Sequence, residues 1–171
     1  MARNVEIKAR IDSVEALAQR VAPLATGGPT VLRQDDTFFH CETGRLKLRA
    51  FDADQGELIF YRRPDTRGPR ESFYLRTPTP APDTLRTSLT LAYGAAGRVV
   101  KQRVLYWIGR TRVHLDRVEG LGEFLELEVV LDEDEDAKAG VAEANRLMAL
   151  LGVTNAQLVD RAYVDLMQRG R

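Results

Sequence analysis

The sequence predicts a mainly antiparallel α+β fold in which about eight strands close, or nearly close, into a single sheet. Short segments that alternate apolar and polar residues recur along the chain, and only a few stretches have helical periodicity. Residues typical of turns, such as "PDTRGP" at 64–69, separate neighbouring segments. Many short strands with few helices favour closure, because a closed sheet leaves no unpaired edge. The length of 171 residues fits one domain, 1–171.

The first half of the chain contains five predicted strands and one predicted helix. The strands are expected at 3–11, 31–40, 44–52, 56–63 and 70–76, where apolar and polar residues alternate. The helix is expected over 13–24, because Asp12 and Glu15 resemble a capping box at its start. Its apolar stripe, Val14 with Leu17 and the residues that follow at helical spacing, needs a surface to pack against.

The second half begins with a break and then adds three strands and three helices. The prolines of "TPTPAPD" at 77–83 exclude a central strand, and a helix is expected from there to about Tyr93. A second helix is expected over 136–151, with Gly152 in the usual place of a helix-ending glycine. A last helix is expected over 159–169. The strands are expected at 97–108, 110–117 and 123–132.

Composition excludes some classes of function. Basic and acidic residues number 25 each, so net charge gives no support for binding DNA or an anionic membrane. No stretch approaches the ~20 apolar residues of a membrane-spanning helix. The single cysteine, Cys41, excludes an intrachain disulfide, which fits a cytoplasmic protein. We therefore expect a cytoplasmic protein with no DNA or membrane partner.

The stretch "GRLKLRA" at 44–50 places three cations on one face of a strand and leucines on the other. For one strand, a charged face exposed to water would explain this pattern. The pattern recurs, however, in six other predicted strands, and the helices carry apolar stripes that need a partner. Helices packed outside the sheet would meet the apolar faces, and the charged faces would then line the interior. The cations on the predicted lining are Lys8, Arg45, Lys47, Arg49, Arg63, Lys101, Arg103 and Arg112, and the acids are Glu6, Glu57, Asp116, Glu126 and Glu128.

A charged interior is costly unless it is solvated and paired, or filled by a ligand of matching charge. Arginine and lysine bind phosphate oxygens, and clustered carboxylates bind a hard divalent cation such as Mg²⁺ or Mn²⁺. A polyanion bridged to a metal satisfies both groups. The predicted ligand is therefore a small molecule with a triphosphate, such as a nucleoside triphosphate or tripolyphosphate.

These segments resemble the CYTH superfamily, the triphosphate tunnel metalloenzymes, and are most similar to its class IV adenylate cyclase branch. The hallmark of the superfamily is an E-x-E-x-K strand. In "NVEIK", Glu6 and Lys8 match the motif, while Asn4 stands where the first acid is expected. The resemblance continues in order through "GRLKLR", "ELIFYRRPDTRGPRES", "VVKQR" and "RVHLDRVEGLGEFLELEVV".

The resemblance implies an eight-stranded closed β-barrel, a tunnel with helices packed outside, and a metal-dependent active site within it. It implies catalytic roles for Glu6, Lys8, Glu126 and Glu128. The implied phosphate ligands are Lys8, Arg45, Lys47, Arg49, Arg63, Lys101, Arg103 and Arg112. The implied ligands of Mg²⁺ or Mn²⁺ are Glu6, Asp116, Glu126 and Glu128. The cyclase branch also makes a homodimer plausible.

The reaction stays open at this level. A class IV adenylate cyclase converts ATP to cyclic AMP and pyrophosphate, whereas a triphosphatase hydrolyses tripolyphosphate, thiamine triphosphate or a nucleoside triphosphate. A tunnel that binds a triphosphate without turnover is a further alternative, and the missing acid at Asn4 favours it. The intact pair Glu126 and Glu128 favours a bound metal and hence catalysis.

Overall fold

The computed structural model describes residues 2–169, which form eight β-strands and four α-helices. The strands are β1 (Ala2–Arg10), β2 (Gly27–Phe39), β3 (Arg45–Ala50), β4 (Gly56–Arg62), β5 (Arg70–Thr79), β6 (Ala95–Ile108), β7 (Thr111–Val118) and β8 (Gly122–Leu131). The helices are α1 (Val14–Val21), α2 (Pro82–Tyr93), α3 (Ala137–Leu151) and α4 (Tyr163–Arg169). No helix in this part of the chain is long and apolar enough to cross a membrane.

All eight strands form one closed antiparallel sheet, which confirms the predicted fold class. The order around the ring is β1-β5-β4-β3-β2-β6-β7-β8, and β8 pairs again with β1. Residues that alternate along each strand therefore face either the interior of the ring or its outside.

The largest apolar core lies outside the ring, between the sheet and two helices. Helices α1 and α3 cover the outer faces of β1, β7 and β8. The buried strand residues of this core are Val5, Ile7, Ala9, Tyr106, Val113, Leu115, Leu125, Leu127, Val129 and Leu131. Helix α3 lies so close that a Cβ added at Gly140 would be 2.7 Å from the Val5 side chain. Because this side of the sheet is apolar and covered, the charged side of the same strands faces inward.

Helix α4 and the residues before it close one end of the ring. Ala162 and Tyr163 line the interior, and the Tyr163 ring packs edge-on against Phe124, with 4.9 Å between ring centroids. Two basic side chains hold this segment from the inside. Arg70 donates to the backbone oxygen of Asp160 at 2.7 Å, and Lys8 donates to that of Arg161 at 3.2 Å. The interior is thus a pocket with one closed end.

Several predicted boundaries differ from the observed ones. Helix α1 begins after Ser13, whose hydroxyl accepts from the Ala16 amide, so Asp12 is not the cap. Residues 22–24 form a separate 3-10 turn. Strand β2 begins at Gly27, four residues before the predicted start at 31, because two glycines and a proline ahead of that start belong to the strand.

Strand β5 runs through Thr79 instead of ending at 76, so the first two prolines of the predicted break lie at or beside strand pairings. Pro78 lies opposite Glu57 of β4. In the described residues, β1 pairs with β5 only up to Tyr74. The last part of β5 is therefore a sheet edge, where proline is tolerated.

Candidate active site in a charged tunnel

The ring encloses a cavity of about 200 Å³ that every strand lines. Its wall is built mainly from side chains at alternate positions of the strands, as the charge pattern predicts. Most of the predicted site residues meet here. They are Glu6, Lys8, Lys47, Arg49, Arg63, Lys101, Arg103, Arg112, Glu126 and Glu128.

One side of the cavity, formed by β2, β3 and β6, carries three cations around a single carboxylate. We call Lys47, Arg49, Lys101 and Asp36 the cation wall. Asp36 lies directly opposite Arg49 in the β2–β3 register, and Arg49 binds both carboxylate oxygens at 2.8 Å. The Lys47 and Lys101 amines lie 3.2 and 3.5 Å from Asp36 Oδ2. When both lysines are protonated, two of the three positive charges have no counter-ion in this group.

Burial and mutual repulsion act on the charges of the cation wall. Burial, aided by neighbouring Arg49, lowers the pKa of Lys47 to about 7. Burial also lowers the pKa of Lys101. Burial opposes ionisation of Asp36 as well, but Arg49 and Lys47 hold the pKa of its carboxyl well below the usual range. The wall is therefore an anion site whose lysines gain protons readily when a negative charge arrives.

The opposite side of the cavity, formed by β1, β7 and β8, concentrates the acids. We call Glu6, Glu126, Glu128 and His114 the carboxylate wall. Strand register brings them together, because Glu6 lies opposite Glu128 across β1 and β8, and His114 lies opposite Glu126 across β7 and β8. This arrangement follows from the alternation that the sequence contains.

Each acid of the carboxylate wall has its own basic partner. Arg63 forms an ion pair with Glu6, and Arg112 binds Glu128 at 2.9 Å. Lys8, which lies opposite Glu126 on β1, approaches it to 3.4 Å. Together with these three basic partners, the acids of this wall are close to neutral overall, unlike the cation wall.

The donor set of this wall fits a divalent metal ion. Ligand atoms of His114, Glu126 and Glu128 lie within 4.8 Å of one another. His114 Nδ1 is buried without a hydrogen-bond partner, and burial, with Arg103 nearby, lowers the pKa of His114 to about 4. The imidazole is therefore neutral at physiological pH and able to bind a metal. Two carboxylates in the same set suit Mg²⁺ or Mn²⁺.

Asn4, the departure from the E-x-E-x-K motif, also lines the cavity. It is 2% exposed, and its side-chain oxygen has no hydrogen-bond partner. It shares the inward face of β1 with Glu6. A neutral oxygen therefore stands beside the carboxylates where the motif has an acid.

The structure does not bring Asp116 into the group of possible metal ligands. Arg103 binds both Asp116 oxygens at 2.7 Å, and the Tyr163 hydroxyl donates to one of them at 2.8 Å. Asp116 is fully buried behind these partners. Its carboxylate orients Arg103, which does line the cavity, and connects the tunnel to the closing segment.

Arg45 also lies apart from the cavity described above. It sits at the end of β3 nearest α4, where its guanidinium forms a two-pronged ion pair with Asp165. This pair is partly exposed and borders a second, outer pocket. Alternation predicted the face of β3 on which Arg45 lies, but not its position along the axis of the ring.

Asp36, His114 and Tyr163 belong to the site but were not identified as ligands from the sequence. Asp36 could have been found, because Leu32, Gln34, Asp36 and Phe38 alternate along β2 toward the cavity. Tyr163 follows β8 by more than thirty residues and carries no local signal. Its ring lies under two ammonium groups, 3.9 Å from Lys8 Nζ and 5.1 Å from Lys101 Nζ.

Comparison with known proteins identifies the family of this chain. The family model of the CYTH domain matches residues 2–163. The chain belongs to the CYTH family. The chain is also similar to the adenylate cyclase CyaB of Aeromonas hydrophila, with 27% identity over 177 residues, spanning 97% of this chain and 89% of that protein.

Solved structures share the fold of this CYTH protein. The PH1012 protein of Pyrococcus horikoshii OT3 superposes with a TM-score of 0.83 at 20% identity, covering 96% of this chain and 99% of that one. HpAC1 of Hippeastrum, described as having a dominant triphosphatase activity, superposes with a TM-score of 0.65 at 16% identity, covering 98% and 96%. At these identities the likeness extends to the fold alone.

Proposed function

We propose that this CYTH protein is a metal-dependent enzyme that converts ATP to cyclic AMP and pyrophosphate, as a class IV adenylate cyclase does. The observation that carries the proposal is the pairing of two unlike walls across one cavity. The cation wall offers uncompensated positive charge to phosphate, and the carboxylate wall offers ligands to a metal. A metal–triphosphate complex is complementary to both.

In this proposal the cations bind and orient the phosphate chain. Arg49 and Arg103 present planar guanidinium groups that can each hold two phosphate oxygens. Lys8, Lys47 and Lys101 add point charges from three strands. Arg63 and Arg112 reach the cavity from the other side, each beside a carboxylate. Fixed positive charge around the reacting phosphoryl group stabilises the charge that develops there.

Glu126 and Glu128, with His114, are proposed to hold Mg²⁺ or Mn²⁺, and Glu6 and Asn4 lie beside them. When bound, the ion supplies Lewis-acid stabilisation of phosphate charge. His114 and Arg112 beside Glu128 lower its pKa to about 2 although burial opposes this, so the carboxylate is ionised near neutral pH. The protein part of the proposed role is thus to keep these acids deprotonated and close together.

Hydrolysis of a triphosphate is the second candidate. HpAC1 shares the fold and is described as having a dominant triphosphatase activity. The two reactions use the same walls and differ in the nucleophile, which is the ribose 3′-hydroxyl for cyclisation and water for hydrolysis. The orientation of the triphosphate in the pocket decides which of them reaches phosphorus.

Product analysis tests the proposal. Purified protein is incubated with ATP, tripolyphosphate or thiamine triphosphate, each with Mg²⁺ or Mn²⁺. Cyclic AMP with pyrophosphate is the expected result for ATP. Orthophosphate without cyclic AMP would replace the cyclase assignment with a triphosphatase, and the substrate cleaved fastest would indicate its class. Binding of all three substrates without turnover of any would contradict an enzymatic function.

A further inference from the structure

Asp36 is an acid at the centre of a site that favours anions. One of its oxygens, Oδ2, lies within 3.5 Å of a nitrogen on each of Lys47, Arg49 and Lys101. Its side chain is 1% exposed, and it lines the same cavity as its partners. No other carboxylate in the described residues is within ion-pair distance of Lys47 or Arg49.

The positions of the three cations follow from Asp36. Arg49 is its direct cross-strand partner, while Lys47 and Lys101 lie on diagonals, opposite Phe38 and Gln34 on β2. Three positive charges gathered around one carboxylate oxygen repel one another when water is excluded. With a carboxylate between them, their side chains converge instead of turning away.

An acid at this point also has a cost, because it repels the phosphate that the cations are proposed to bind. Simple counting of charge therefore predicts that removing Asp36 would strengthen anion binding. If Asp36 instead holds the three cations at one point, its removal should weaken anion binding. The sign of the effect on affinity separates the two explanations.

We propose that Asp36 is a positioning residue that holds Lys47, Arg49 and Lys101 together as one phosphate-binding unit. The proposal rests on the triphosphate-binding function inferred above. It gives Asp36 no contact with the reacting atoms, because its effect passes through its three basic partners.

The test is calorimetric titration of the full chain with tripolyphosphate in metal-free buffer. Asp36→Asn preserves the shape of the side chain and removes its charge. We expect its affinity for tripolyphosphate to fall about 10- to 100-fold, the range set by losing an oriented charged hydrogen bond. Asp35→Asn is the matched control, because Asp35 is the preceding residue on β2 and pairs with Arg98. We expect that control to bind within about threefold of the wild type, as for a partly exposed ion pair.

Several results would overturn the proposal. If the wild type binds tripolyphosphate and Asp36→Asn binds it equally or more tightly, Asp36 is only a counter-charge. Failure of the wild-type protein to bind tripolyphosphate would remove the proposed function together with this inference. If Asp36→Asn does not fold, the affinity of Asp36→Glu is measured instead. This variant keeps the charge but displaces it by one methylene group. Wild-type affinity in that variant would contradict positioning, and reduced affinity would support it.

A double-mutant cycle measures the coupling between Asp36 and a basic partner in tripolyphosphate affinity, which a merely structural role would not change. If Asp36 acts through Lys101, Asp36→Asn and Lys101→Met together should cost less affinity than the product of their separate losses. The same cycle is measured with Lys47 and with Arg49. If the separate losses of affinity simply multiply in all three cycles, the proposal is overturned. Thermal unfolding of each variant monitors stability separately.

Discussion

The two walls of the cavity differ in how their charges are paired. In the cation wall, three basic residues share Asp36. In the carboxylate wall, Glu6, Glu126 and Glu128 each have a basic partner of their own. One wall therefore carries excess positive charge, while the other is close to neutral and already satisfied. We infer that the cation wall can accept an anion directly, whereas a metal ion must compete with Lys8 and Arg112 for the acids.

The difference has a consequence for binding order. A triphosphate should bind without metal, because its main cationic partners have charge to spare. A metal ion alone should bind weakly and gain affinity when a phosphate chain draws the basic side chains away from the acids. The following substitutions test whether the two walls act separately.

The largest effect is expected at the carboxylate wall, for Glu126→Gln. It removes one proposed metal ligand while preserving size, so metal-dependent turnover should fall about 10²- to 10³-fold, as when a group that stabilises transition-state charge is lost. The measurement is the rate of product release from ATP with Mn²⁺. Glu123→Gln on the same strand is the control, since Glu123 pairs with Arg117 at the surface. Wild-type turnover by Glu126→Gln would contradict the assigned role.

A smaller effect is expected at the cation wall, for Lys101→Met. The substitution removes a buried positive charge but keeps most of the side-chain volume. Affinity for metal-free tripolyphosphate should fall about 10- to 100-fold, because a hydrogen bond to a charged group is lost. Mn²⁺ binding without phosphate should change little. Gln102→Met, which alters the exposed neighbour on the outer face of β6, controls for general changes in the strand.

Lys47 should make the affinity for tripolyphosphate depend on pH, by at most about tenfold per pH unit, because one proton is linked to binding. Burial lowers its pKa to about 7 in the free protein, and a bound phosphate favours the protonated amine. Below pH 7 the amine is already charged, so this residue adds no pH dependence there. Above pH 7 binding must take up a proton, and affinity declines as pH rises.

Titration at pH 8 in two buffers with different ionisation heats measures that proton uptake. Lys47→Arg keeps the charge but cannot titrate in this range, so it should take up fewer protons than the wild type. Part of the uptake should remain, because burial also lowers the pKa of Lys8 to about 7. Equal uptake by the two proteins would show that Lys47 is already protonated at pH 8.

The smallest effect is expected for Arg45→Met. Arg45 pairs with Asp165 at the closed end and does not line the cavity. Loss of a partly exposed ion pair should reduce the free energy of unfolding by at most about 1 kcal/mol, with less than a threefold change in tripolyphosphate affinity. Denaturant unfolding and calorimetry measure the two quantities. A tenfold loss of affinity would return Arg45 to the phosphate ligands that the resemblance implied.

Much of this site could be predicted from sequence because strands alternate strictly. Once Leu46 and Leu48 are assigned to the outside, Lys47 and Arg49 must face inward, and the same reasoning applies to Glu126 and Glu128. Closure of the sheet then brings distant strands together around one cavity. The family motifs gave the same face assignments independently.

Alternation does not encode position along the tunnel or the partner of each charge. Arg45 has the right face but lies too near the closed end, and Asp116 is occupied by Arg103 and Tyr163. Both outcomes depend on where α4 packs, and that is decided by contacts between segments far apart in sequence. The role of Asp36 likewise depends on the register of three strands, which no single strand reveals.

Tripolyphosphate titration of Lys101→Met and Glu126→Gln in metal-free buffer tests the division between the walls most directly. We expect Lys101→Met to bind at least about tenfold more weakly than the wild type, because a buried charged partner is lost. We expect Glu126→Gln to bind as tightly as the wild type or more tightly, because Lys8 loses its nearby acid. Equal weakening in both variants would contradict the account, since the two walls would then act as one phosphate site.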